Sequence, residues 1–364
     1  MYIEDPNLED LLLSKEHLSV SNQDFLLLMI GEECEIPLKC IVDALNAEKI
    51  NFVGGIFPKV ISNQKTSSKG IVIKKIKGEI VSIHFNSSDS FASQFSDYTH
   101  CDFVTVYTLT SGLSLEISDH LMTLYTHLGN DVKFLGGGVG RSSRVESELL
   151  ISNDGIFHKG TIVVLTKNNT AISAMHGWKK LIGPFIVTKA NNHIIEELNW
   201  ENAFEVYNRC LKQSQNIDLD INNFNSYSIH FPFGIHKEDR EYIVRDPIEV
   251  NEDGFITCVG NIPENSLVDL LSIKIEDLKK IPETMVRDCS KQKFEPNDVI
   301  LFDCISRANH LNENFLIELN GFTTEIKKKN PDIDLEGALS IGEIYSSGDG
   351  YLELLNKSVV LGFL

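Results

Sequence analysis

Arg307 and Glu343 are the charged residues whose placement most suggests chemistry. Each follows an apolar stretch, Val299–Cys304 before one and Ala338–Gly342 before the other. Ligands of open α/β sheets gather at the carboxyl ends of strands. There an arginine grips a carboxylate through two parallel hydrogen bonds, and a glutamate receives an ammonium group. Together the two residues suit a zwitterionic amino acid. An Arg–Glu ion pair tying two strands fits the same positions equally well. Asn356 either completes such a site or caps a turn, and Cys304 lies beside it.

Gly136–Gly138 could present backbone N–H groups to an anion, with Arg141 and Arg144 close behind to supply charge. The competing reading is a tight turn that needs positive φ. The run lacks the Lys-Ser/Thr of a phosphate-binding loop and the spacing of a dinucleotide fingerprint.

Familiar catalytic patterns are missing from the sequence. There is no G-x-S-x-G. Cys304 sits inside an apolar run, where a thiol is normally inert. Ser306 adjoins Arg307, with His310 nearby, and has no evident base. A hydrolase using Cys304 or Ser306 is therefore the minor alternative, and the expectation is a protein that is not an enzyme. The 11 histidines form no H-x-x-x-H or H-E-x-x-H pair, so a zinc-protease helix is absent. Arg245-Asp246 ahead of Pro247 reads as a strand-edge salt bridge, and Trp178 reads as a packing anchor.

Composition narrows the classes further. The chain has 364 residues, 42% of them hydrophobic, which supports two domains with real cores. Its formal net charge of −19 argues against nucleic acid and anionic membrane as partners. No apolar run approaches the roughly 18 residues of a membrane span, and the first residues do not resemble a secretory leader. Seven cysteines, with no C-x-x-C, suit neither a disulfide framework nor a zinc site. A soluble cytoplasmic protein is expected.

The elements that would position these residues recur three times. Residues 1–20 form a lead-in with a short helix at Leu8–Leu13. A strand at Phe25–Ile30 then precedes a helix carrying Leu38, Ile41, Val42 and Leu45, a second strand at Asn51–Gly55, and further strands at Gly70–Ile76 and Ile80–Phe85. The order returns as Phe103–Leu109, a helix over 114–128, Lys133–Gly138 and Gly160–Leu165. It returns again as Val299–Cys304, a helix at Asn312–Lys328, Ala338–Gly342 and Ser358–Leu364. A strand–helix–strand–strand unit used three times predicts an α/β (mixed α+β) fold of two lobes, each a mixed sheet with helices on its faces. The polar segment 214–226 reads as the linker between a domain over 21–213 and another over 227–364.

Two stretches carry a family resemblance. Phe134–Val139, Asn153–Ile156, Lys159–Leu165, His176–Pro184 and Glu197–Tyr207 occur in the order of the FIST N-terminal domain. Phe231–Ile235, Tyr242–Pro247, Glu252–Ile256, Gly260–Pro263, Cys304–Arg307, Ile341–Glu343 and Leu355–Asn356 resemble the FIST C-terminal domain. The likeness spans about residues 25–364. It departs from the family at Val53–Phe57, so no contact from that turn is carried over. The resemblance implies a sensory protein for small ligands such as amino acids. It also makes Arg245 a second candidate for the cavity, beside Arg307, Glu343, Asn356, Cys304, Gly136 and Gly137. No kinase, cyclase or DNA-binding segment is recognisable, so the output would pass through a separate partner. Some stand-alone members bind haem, sense nitric oxide and control a histidine kinase. In that alternative the axial ligand would come from His176, His230, His236 or His310, which flank the motifs.

Overall fold

Phe25–Gly31 is buried along its whole length, which explains its unbroken apolar sequence. Alternate residues face opposite ways. Leu26, Leu28 and Ile30 pack on the helix Leu38–Ala47, while Leu27 and Met29 turn to a second core. In the computed structural model, which describes residues 1–364 apart from 22, 79, 144–146, 238–240 and 293, this strand is the centre of the first of three like units.

Each unit pairs its central strand in parallel with the strand after its helix, and antiparallel with a later one. Phe25–Gly31 lies between Asn51–Phe57 and Ile71–Ile76. Thr105–Ser111 lies between Lys133–Val139 and Thr161–Thr166. Val299–Cys304 lies between Glu336–Ser340 and Val359–Phe363. An outer strand borders each unit: Tyr2–Ile3, Ile80–Phe85 and Ala171–Met175 respectively.

The units then exchange hairpins in a cycle. The hairpin from Lys59–Ser62 and Lys65–Ser67 leaves the first unit and joins Glu336–Ser340 of the third. Leu150–Ser152 and Gly155–Phe157 of the second join Asn51–Phe57 of the first. Glu343–Ser346 and Glu353–Leu355 of the third join Lys133–Val139 of the second. Three six-stranded sheets result. Each contributes one face to a common core that includes Leu27, Met29, Tyr107, Leu109, Ile300 and Phe302.

This arrangement corrects the expected glycine turn. Gly136 and Gly137 lie inside the strand Lys133–Val139, each opposite a residue of the third unit's hairpin. A Cβ on Gly136 would stand 1.8 Å from the Thr108 carbonyl oxygen, so close backbone approach selects glycine there. The helix expected at Asn312–Lys328 also begins earlier, as Ile305–Leu311, and resumes as Phe315–Lys329. That places Arg307 on a helix rather than at a strand end.

The second lobe is an insertion within the third unit. Between Ala171–Met175 and Val299–Cys304, an eight-stranded sheet is built on the 13-residue strand Lys179–Asn191 and covered by the helix Ala203–Gln215. The fold is therefore mixed α/β with two lobes, as expected, but the chain divides differently. Leu219 and Phe224, from the polar segment 214–226, are buried in the same core as Val206 before them and Phe233 after them. The segment connects elements of one body and does not link two. The lead-in likewise contributes a strand, Tyr2–Ile3, and a helix, Leu8–His17, that buries Leu11.

Candidate functional site

Where the insertion meets the three-sheet body, a cavity of about 250 Å³ opens to solvent. Its walls come from distant parts of the chain. Ser306 and Asn309 stand on the helix that follows Val299–Cys304. Asp246 comes from the insertion, between the strands Ile243–Arg245 and Pro247–Val250. Arg141 follows the strand Lys133–Val139, and Asn356 follows Glu353–Leu355. A neighbouring cavity of about 230 Å³ shares the walls Leu113, Ile248 and Val259 with the first.

On and behind one wall of this cavity lies a polar cluster the sequence did not reveal. Lys357, fully buried, donates to the Ser306 hydroxyl at 2.7 Å and to the Ile229 carbonyl at 2.8 Å, and pairs with Asp246 at 3.0 Å. Two of these are hydrogen bonds and the third is an ion pair, so the ammonium is enclosed by polar partners. Ser306 in turn donates to the other carboxylate oxygen of Asp246. Lys357 has φ of 52°, a left-handed conformation uncommon outside glycine and costly enough to need support from its surroundings. That support includes its carbonyl, which accepts from the Trp178 indole at 3.2 Å and from Arg307 at 3.2 Å. Asp246 therefore pairs with Lys357 and not with its neighbour Arg245.

Arg141 occupies another part of the wall. Its guanidinium donates to the Glu32 carbonyl and, at 3.1 Å, to the Ser147 hydroxyl. Both are neutral acceptors, so its charge is available to an anion. Arg144, its expected companion, lies outside the described residues.

The expected grip of Arg307 and Glu343 on a ligand needs correction. Arg307 is fully buried and bonds Glu318 in bidentate fashion, Nη2 to Oε1 at 2.9 Å and Nε to Oε2 at 3.2 Å. Glu343 is also fully buried; it accepts from the Ser340 hydroxyl at 2.9 Å and the Ser358 N–H at 3.3 Å. Burial raises its carboxyl well above the usual range. Neither side chain lines the cavity. Arg245 is a brace between the lobes: it donates to Asn261 carbonyl oxygen at 2.9 Å and to that of Leu354 at 3.1 Å, and burial lowers it to about 10. Of the expected residues, Cys304 and Asn356 do border the cavity. The Asn356 amide is spent on the Val259 carbonyl at 2.9 Å. Burial, reinforced by Glu343 and Asp246, pushes the Cys304 thiol far up, so it is not a thiolate nucleophile. Gly136 and Gly137 are enclosed in sheet. Trp178 is a packing anchor, buried with Val244 and Leu271.

The four histidines do not fit a haem site. His176 accepts the Trp178 N–H at 2.9 Å, and burial together with Arg307 lowers it to about 3. His236 is tied to Asp269 at 2.8 Å. His230 and His310 bond each other at 2.7 Å, and the His310 ring lies 4.8 Å from Trp178. An axial ligand needs a ring standing free over an apolar slot. None of the four borders the cavities described above.

Comparison with known families agrees with the order of the motifs. The family model for the FIST N domain matches residues 24–201, and that for the FIST C domain matches residues 203–346. The chain belongs to the FIST family. FIST domains are sensory domains of signal transduction. The two matched FIST regions meet inside the inserted lobe, so the family boundary does not coincide with a boundary between cores. Comparison with curated proteins found no match. Among the described residues no helix is long and apolar enough to cross a membrane.

Proposed function

We propose that this FIST protein is a ligand-binding sensor, and that the cavity between its lobes takes a small carboxylate-bearing molecule, an amino acid among them. The observation that carries this reading is one cavity with Arg141, Ser306 and Asp246 on its wall and Lys357 buried behind the last two. Arg141 would hold the carboxylate. Asp246, although paired with Lys357, would accept from an amino or hydroxyl group of the ligand, as would Asn309. The volume, about 250 Å³, suits a molecule of that size. Because both lobes line the cavity, a ligand there would change how the insertion sits on the body, and a separate signalling protein such as a histidine kinase would read that change. Sensing is proposed here as the primary role, ahead of metabolic turnover.

A thermal-shift screen of amino acids and small hydroxy or dicarboxylic acids tests this. At least one is expected to raise the melting temperature of the wild-type protein and not that of R141Q. A screen without such a ligand would overturn the reading.

A further inference from the structure

We infer that Ser306 is a nucleophile, and that the cavity captures an acyl group from a small ester or lactone bearing a separate anionic group. The inference deepens the proposed function and rests on the cavity being the ligand site. Three features of the cluster support it independently of the family. The Ser306 hydroxyl lies on the wall of an open cavity and contacts two ionisable groups at once, Lys357 at 2.7 Å and the carboxylate of Asp246. A nucleophile, a base and a third group that orients the base form the general signature of an activated serine. The orienting contact is the Lys357–Asp246 pair at 3.0 Å. Finally, Lys357 is held in a left-handed conformation, and backbone strain of this kind concentrates at functional sites.

The hydrogen bonds fix the direction of proton flow. Lys357 donates to Ser306 and to the Ile229 carbonyl and pairs with Asp246, so it acts as a positioning group. The Ser306 proton already points at Asp246. As the Ser306 oxygen attacks the carbonyl carbon, a new C–O bond forms and the proton passes to Asp246. Collapse of the tetrahedral adduct breaks the bond to the leaving oxygen, which takes the same proton back from Asp246 and departs as an alcohol. In a lactone that alcohol remains part of the acyl group. The product is an acyl-serine, and the step needs no further reactant. Arg141 selects substrates that carry a second, anionic group. Cys304, the other nucleophile on this wall, is excluded because burial holds it as a thiol.

The test treats the full-length protein with a small alkyl fluorophosphonate and reads the intact mass, followed by peptide mapping. One adduct per chain is expected, located on Ser306, with none in S306A. D246N should slow labelling by roughly 100-fold, the scale of a lost general base, while melting as a folded protein. No adduct on the wild type, an equal adduct on S306A, or unchanged labelling of D246N would overturn the inference. The thermal-shift screen separates the two proposals. A carboxylate-induced shift without a Ser306 adduct leaves sensing and removes the nucleophile. An adduct without any shift leaves the nucleophile and removes the amino-acid ligand.

Discussion

Ser306 and Arg307 are adjacent on one helix, yet they belong to opposite kinds of charged site. Ser306 faces the cavity with Asp246 and Lys357. Arg307 faces inward, where Glu318 binds its guanidinium, Asp303 stands 3.9 Å from it, and the field of the arginine reaches buried Glu343. In the inner cluster one arginine serves several acids in a dry setting. Only Glu318 holds it closely, and burial drives Asp303 and Glu343 towards their neutral forms. In the outer cluster a single acid faces a single lysine, with a hydroxyl bridging them. The comparison teaches that burial and charge alone do not mark a functional site. What distinguishes the outer cluster is access to a cavity and a hydroxyl proton already aimed at a carboxylate.

The largest effect should come from breaking the inner cluster. R307M leaves Glu318 buried without its partner, and loss of one member of a buried pair costs about 3–5 kcal/mol. Urea unfolding should show that loss, and an unchanged midpoint would mean the cluster is not as tightly buried as its geometry indicates. The next test uses pH. The folded-state value of Glu343 lies above its ordinary value of 4.5, so the native state retains a proton that the unfolded chain releases. The stability Glu343 contributes is full below that value and is lost as pH rises towards the folded value, by up to about 1.4 kcal/mol per pH unit. E343Q should therefore flatten the stability profile above about pH 4.5 and be no less stable than the wild type at neutral pH. An unaltered slope in unfolding measured across pH 5–8 would show that Glu343 is ionised.

Arg141, across the same cavity from the outer cluster, predicts the opposite pattern, with little change in stability and a large change in binding. R141Q should shift unfolding by no more than about 0.5 kcal/mol, as surface changes do, while weakening carboxylate binding by roughly 10–100-fold. Calorimetry with the ligand from the screen would read both. The smallest expected effect is chemical. Cys34, Cys40 and Cys101 are partly exposed, whereas Cys210, Cys258, Cys289 and Cys304 are buried. N-ethylmaleimide should label only the first three in the native protein. Rapid labelling of Cys304 would show that the cavity reaches deeper and that its thiol is activated.

Much of the architecture could be read before any tertiary contact was known. Phe25–Gly31 is a continuous apolar run, and Thr105–Ser111 and Val299–Cys304 are mostly apolar or β-branched, because both faces of each strand are covered. Leu38, Ile41, Val42 and Leu45 reveal their helix through spacing. The three-fold recurrence followed from the order of these local patterns, and the family from motif order. The glycine run was misread for an equally physical reason. Gly136 looks like a turn in sequence, and only the neighbouring strand's carbonyl shows why a strand needs glycine there.

The hairpin exchange and the site lay beyond such reading. Each hairpin carries ordinary alternation that does not name its partner strand, so its transfer to another unit is set by packing among the sheets. Lys357 sits between Asn356 and Ser358 as an unremarkable turn lysine, 51 residues from Ser306. Asp246 lies in an insertion whose extent became evident only from its separate core. Local periodicity reports which face of an element is covered, and here it specified three strand–helix–strand units and their class. Which side chains share a cavity depends on contacts between elements far apart in the chain. Those contacts separated Ser306 from its neighbour Arg307 and joined it to Asp246 and Lys357.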